Sequence, residues 1–239
     1  MKRNQPFTLN AFYLFLLLSA FAIIGLAQTP PPKATPNPLP REDTQVWNET
    51  QFQIPVSQRV TLNFLQFGRI GTNVSFRSDT RTGAGIIIKF NKYYSIQPTY
   101  VYQYGHPGAG RKAFSHRLYV DNLIKVPVTR KVLTNNRIRF ERIVRHGKAD
   151  AWNFRFRPGI EVPLKLGDYR FSLIASHEMF YDTFFKAWTR HRSIVGVSKK
   201  LTNQFTMDVF YQRQRDQYAR PGNHNALGTT LKFKIDREK

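Results

Sequence analysis

The chain has 239 residues, no cysteine and a formal charge of +22. That length supports one sizeable domain, and the missing thiols exclude disulfides, thiolate metal centres and a lipoprotein attachment cysteine. So basic a chain fits a nucleic-acid binder, a protein of an anionic membrane surface, or an outer-membrane protein facing anionic lipid, and charge alone does not separate these classes.

The N-terminus separates them. Lys2 and Arg3 precede an uncharged apolar run from Ala11 to Ala27 that ends in small residues, the pattern of a secretory signal peptide over 1–27. An uncleaved transmembrane anchor is the alternative, although the run is at the short end of the ~17–25 residues a spanning helix needs. Export argues against nucleic acid as a partner. It removes only Lys2 and Arg3, so the basic character belongs to the rest of the chain.

Residues 28–40 read QTPPPKATPNPLP, with prolines that withhold backbone donors from a sheet. A proline-rich periplasmic linker is therefore expected over 28–44. Beyond it no segment keeps a 3.6-residue apolar period. Instead β-branched and aromatic runs recur between Gly, Pro, Asn and Asp, which predicts strands at 45–55, 58–68, 83–91, 94–104, 115–127, 131–146, 150–163, 168–180, 187–198, 204–215 and 224–235. Asn91-Lys92, Gly147 to Asp150, Gly167-Asp168 and Pro221 to Asn223 are turn chemistry, so consecutive strands are expected to pair antiparallel. Most predicted strands reach the ~9–11 residues that a tilted strand needs to cross a bilayer core, longer than the ~5–6 of a typical globular strand.

Side chains alternate across a strand, so parity divides each strand into two faces. Arg137, Arg139, Glu141 and Arg145 share one face, while Ile138, Phe140 and Val144 share the other. Trp152, Phe154, Phe156, Ile160 and Val162 oppose Asn153, Arg155, Arg157, Gly159 and Glu161. Later strands repeat this, with Arg170 and Glu178 on the wet face of one and Arg190 and Arg192 on that of the next. Tyr94, Tyr100, Tyr102 and Tyr104 line one side of a further strand and suit an aromatic girdle.

Long strands with one dry face, behind an export signal, predict an all-β fold: a transmembrane antiparallel β-barrel of 10 to 12 strands over 45–235, followed by a polar tail at 236–239. A secreted β-sandwich or lipocalin-like barrel is the structural alternative. An all-antiparallel closure needs an even number of strands. Eleven predicted strands therefore imply that Gly71 to Asp79 hides a twelfth or that one strand lies outside the barrel.

The motifs VWNE (Val46 to Glu49), His116-Arg117, RIRFER (Arg137 to Arg142), FRFRPG (Phe154 to Gly159), HEMF (His177 to Phe180) and RHRSIVGV (Arg190 to Val197) together resemble the DUF2490 family of uncharacterised bacterial outer-membrane β-barrel proteins. The resemblance covers roughly Asp43 to Ile235 and implies an outer-membrane barrel with no agreed activity. One departure is the C-terminus. Many such barrels end on an aromatic residue used by the barrel assembly machinery, whereas here Phe233 is followed by KIDREK.

The six histidines lack the paired spacing of a zinc site, so no metal and no cofactor are expected. GAGRK (Gly108 to Lys112) lacks the spacing and the Ser or Thr of a phosphate loop. His191 and Ser193, two apart, share a strand face with a spacing similar to that of lipid A deacylase barrels; a serine becomes nucleophilic only beside a base. Glu141, Glu161 and Glu178 among the arginines read as an ion-pair ladder. The favoured reading is thus a non-enzymatic barrel in contact with outer-membrane lipid, structural or a small pore whose arginine-rich lumen favours small anions. The alternative is a lipid-modifying hydrolase using His191 and Ser193.

Overall fold

The structure, a computed structural model, describes residues 41–108, 111–129, 132–146, 149–219 and 221–235. The expected signal peptide, most of the expected linker and the polar tail lie outside these residues. Every regular element described is a strand. In chain order they are β1 (Glu42–Pro55), β2 (Val60–Gly71), β3 (Phe76–Lys89), β4 (Tyr94–Gly108), β5 (Arg111–Pro127), β6 (Leu133–Arg145), β7 (Ala151–Arg157), β8 (Gly159–Leu166), β9 (Tyr169–Asp182), β10 (Ala187–Lys200), β11 (Phe205–Asp216) and β12 (Asn223–Lys234).

With β7 and β8 taken together, each course pairs with the next, and β1 pairs with β12, so the sheet closes into a barrel. Segments β7 and β8 are one course. Arg157 faces Arg137 and Ile160 faces Thr134 on β6, while Phe156 faces Met179 and Gly159 faces Ser176 on β9, so the register runs unbroken through both. Pro158 divides the course because it brings no backbone N–H to the ladder. Its carbonyl still accepts from the His177 N–H at 3.0 Å.

The barrel therefore has eleven courses, and the expectation of an even, all-antiparallel closure is corrected. Residues 71–79 hold a tight turn at 72–75 and the start of β3 rather than an extra strand. Closure is instead parallel, from Glu42 opposite Asn223 to Gln53 opposite Lys234. An odd number of up-and-down strands leaves the first and last pointing the same way, so only a parallel seam can close them. One rim carries the start of β1 with the turns at 72–75 and 183–186 and the end of β11; the other carries the turns at 56–59, 90–93 and 201–204. Strand β1 also starts at Glu42, inside the linker expected over 28–44.

Inward side chains knit the seam. Trp47 Nε1 donates to Gln45 Oε1 at 2.6 Å, and Gln45 Nε2 donates to Asp43 Oδ2 at 2.7 Å and approaches His224 Nδ1 on β12 at 3.1 Å. The Asp43 carboxylate also accepts from the backbone N–H groups of Thr72 at 3.1 Å and Asn73 at 2.7 Å. These belong to a run of three left-handed non-glycine residues, Thr72, Asn73 and Val74, with φ of 54°, 54° and 64°. Left-handed backbone is unfavourable for residues with a Cβ, and the paired carboxylate oxygens offset that strain.

Next to the seam, Gly228 on β12 stands opposite Phe210 on β11. A Cβ on Gly228 would lie 2.3 Å from two atoms of the Phe210 ring. The ring covers the glycine, so a side chain there has no room. Gly228→Val is expected to destabilise the barrel by ~1–3 kcal/mol, as overpacking of filled interiors does, read as a lower urea midpoint in micelles. An unchanged midpoint would mean that Phe210 swings aside freely.

Candidate functional site

Two polar constellations stand out, one inside the barrel and one on its outer wall.

Inside, arginines from neighbouring strands share a small set of carboxylates. Asp121 on β5 accepts Arg139 Nε and Nη2 at 2.6 and 2.7 Å, a bidentate fork whose guanidinium carbon also lies 3.5 Å over the Tyr119 ring. Glu141 on β6 accepts Arg117 at 3.0 Å and lies 3.6 Å from Arg155. Glu178 on β9 binds Arg155 at 2.8 Å, Arg192 at 3.4 Å and Arg137. Asp216 accepts Arg190, and Asp79 accepts Arg81 at 2.6 Å. Glu178 is 1% exposed, Glu141 2% and Arg155 6%. Side chains lining a water-filled channel would be wetted; these are packed against one another.

Most predicted lumen residues fall in this network, with four exceptions. Arg145 sits at the rim and donates to the Ala149 carbonyl at 2.7 and 3.0 Å instead of entering the lumen. Arg170, near the opposite end of β9, is exposed and makes no ion pair among the described residues. Glu161 accepts from Asn135 at 3.2 Å rather than from an arginine. Arg157 is half-buried opposite Arg137 and makes no ion pair among the described residues. Arg142, which parity put on the dry face, points outward and pairs with Asp150 at 2.7 Å. Sequence reading missed Trp47, Arg69, Asp79, Arg81, Arg117 and Asp121, which lie on strands where alternation is less clean than in Arg137 to Arg145.

On the outer wall, β9, β10 and β11 bring together His177, His191, Ser193, Arg213 and Arg215, which line a groove of about 380 Å³. Ser193 faces His177 on β9 and Arg213 on β11, while His191 faces Met179 and Arg215. His177 Nδ1 lies 2.9 Å from Ser193 Oγ, and His177 Nε2 lies 3.4 Å from His191 Nδ1. One tautomer set serves both contacts: the serine hydroxyl donates to Nδ1, and the Nε2–H donates to His191. His191 and Ser193 thus share a face as expected, but the group beside the hydroxyl is His177, which sequence reading had left among the scattered histidines.

The position of the groove is informative. Further along the outer wall stand Val195 on β10, 55% exposed, and Leu227 on the adjoining β12, 63% exposed. The polar cluster begins where this apolar band ends. Beyond it, at the rim, Phe185 stacks on Tyr218 with centroids 4.0 Å apart, and Phe184 and Trp188 are exposed. Aromatic residues at the border of an apolar band suit a membrane–water interface. Arg213 is held by Asn225 at 2.7 Å and Glu42 at 3.1 Å; Arg215 is exposed beside His191. Among the described residues no group of His, Asp and Glu side chains gathers to hold a metal ion.

The solved structure of LpxR from Salmonella typhimurium is similar in fold, with a TM-score of 0.50 at 7% sequence identity, covering 77% of this chain and 87% of that one. At that identity the likeness concerns the fold alone. No curated protein matches the chain. The model of DUF2490, a protein family of unknown function, matches residues 44–225, and the chain belongs to that family.

Proposed function

We propose that this protein is an outer-membrane β-barrel that hydrolyses ester bonds of membrane lipids at its outer wall. The observation that carries the reading is the hydrogen-bonded series Ser193, His177, His191 facing outward at the border of the apolar band. A serine hydroxyl is a weak nucleophile until a base takes its proton. In the proposed reaction Ser193 Oγ attacks the acyl carbonyl as its proton passes to His177 Nδ1, and His191 steadies the imidazolium. The proton then goes to the departing alcohol, and water, deprotonated by the same histidine, frees the fatty acid and restores Ser193. Outer-membrane location is supported by the signal-like N-terminus, the apolar outer wall and the barrel fold, with insertion left to the barrel assembly machinery. The test is release of free fatty acid from outer-membrane lipid by the purified, refolded barrel; no release above a lipid blank would refute the reading.

A second reading, a non-enzymatic envelope barrel, is favoured by the filled lumen, which has the form of a structural core. Both readings part company with an open anion pore. Ion pairs among side chains as buried as Glu141 and Glu178 crowd the bore at their level, which speaks against a wide water path. In planar bilayers the wild-type barrel is expected to be electrically silent in asymmetric salt. Steady anion-selective conductance that disappears in an Arg155→Glu variant would reverse this conclusion.

A further inference from the structure

The groove beside Ser193 is ordered along β10. Toward the apolar band the next residue on the outward face is Val195, 55% exposed. Toward the rim it is His191, with Arg215 of β11 directly opposite. Ser193 thus lies between an apolar side and a cationic one. Successive positions on one strand face are about 6–7 Å apart, so a carbonyl placed at Ser193 has apolar wall on one side and a guanidinium on the other, each one such step away.

The arginines of the groove differ from each other. Arg213 is engaged: Nη1 donates to Asn225 Oδ1 at 2.7 Å and Nη2 to Glu42 Oε1 at 3.1 Å. Arg215 is exposed and makes no ion pair or side-chain hydrogen bond among the described residues. It lines an open groove of about 380 Å³, within the ~300–1,000 Å³ of small-molecule sites. A guanidinium with uncommitted donors suits an oxyanion, and phosphate offers oxygens that the planar fork can grip in pairs. In a glycerophospholipid a short glycerol link joins the acyl ester to the phosphate, and the phosphate lies on the water side of the ester. The groove presents its groups in that order: apolar wall, serine, arginine.

We propose that the groove takes a glycerophospholipid, with the acyl chain along Val195, the ester carbonyl at Ser193 Oγ and the phosphate on Arg215. This rests on the hydrolytic reading above and adds its substrate class: water cleaves the acyl ester, and the products are a fatty acid and a lysophospholipid. Arg215 binds the phosphate and takes no part in bond making.

The test compares phosphatidic acid with diacylglycerol, which carry the same acyl esters and differ in the phosphate, in non-ionic micelles with the full, refolded barrel. Phosphatidic acid is expected to be hydrolysed with a kcat/KM at least ~10-fold higher, the effect of one charge-assisted hydrogen bond. Arg215→Gln should lose most of that preference, and Arg215→Lys, which keeps the charge without the fork, part of it. Arg170→Gln, at an exposed arginine near the opposite rim, should keep it. Equal rates on the two lipids would overturn the proposal, as would an equal loss of preference in Arg170→Gln and Arg215→Gln, which would reduce it to general charge attraction. Binding separates this site from the hydrolytic reading: the Ser193→Ala barrel is expected to retain labelled phosphatidic acid over diacylglycerol, and to lose this selectivity when Arg215→Gln is added. Selective retention without fatty-acid release by the wild type would refute hydrolysis and leave the phosphate site standing; fatty-acid release without any preference for phosphate would do the reverse.

Discussion

Ser193→Ala is expected to lower fatty-acid release by at least ~10³-fold while the barrel remains folded, because removal of an activated nucleophile takes with it the covalent route. Ser193 is exposed on the outer wall and among the described residues its side chain bonds to His177, so the substitution should change the unfolding free energy by no more than ~0.5 kcal/mol. His177→Ala should cost a similar factor, and the double variant should be no worse than either single one, since the two groups act as a unit. His191→Ala is expected to fall between, since that residue steadies a base without touching the reacting carbonyl. Full hydrolysis by Ser193→Ala would refute the assignment of the nucleophile. Loss in Ser193→Ala with full activity in His177→Ala would refute the assignment of the base. The readout is free fatty acid per barrel, measured beside heat-resistant electrophoretic mobility as the check on folding.

Glu178→Ala is expected to give the largest stability loss among the single substitutions considered. Its carboxylate is the shared partner of Arg137, Arg155 and Arg192, and truncation leaves those guanidiniums facing one another out of water. Removing one partner from a buried ionic cluster costs ~3–5 kcal/mol, far more than the intact cluster contributes over a well-packed apolar core. Glu178→Gln keeps the shape and one acceptor, so it should lie between wild type and Glu178→Ala. The surface pair Arg142–Asp150 is the internal control: at 46% and 33% exposure, Arg142→Ala should cost less than ~1 kcal/mol. Equal midpoints for Glu178→Ala and wild type in urea titrations would show that the lumen network is not part of what holds the barrel together.

The alternation of Arg137 to Arg145 and of Trp152 to Val162 was legible without coordinates, because a strand's period of two writes burial directly into neighbouring positions. The shared face of His191 and Ser193 followed from the same local rule, the barrel from that rule with strand length and the export signal, and the family from its motifs. What the sequence left open depends on register between strands. The meeting of His177 with Ser193 requires β9 and β10 to align as they do, through an irregularity between Trp188 and Arg190 that no local pattern announces. The parallel seam joins residues about 180 positions apart, as with Glu42 and Asn223, and closure of an odd number of strands is a property of the whole sheet. Pro158 was visible, yet whether it ended a strand or merely interrupted one was decided by β6 and β9 keeping their register on both sides of it. Chain order determined which residues face in and which face out. Which inward arginine finds a carboxylate, and which outward histidine finds the serine, was decided only when the barrel closed, because those contacts are made across strands and not along them.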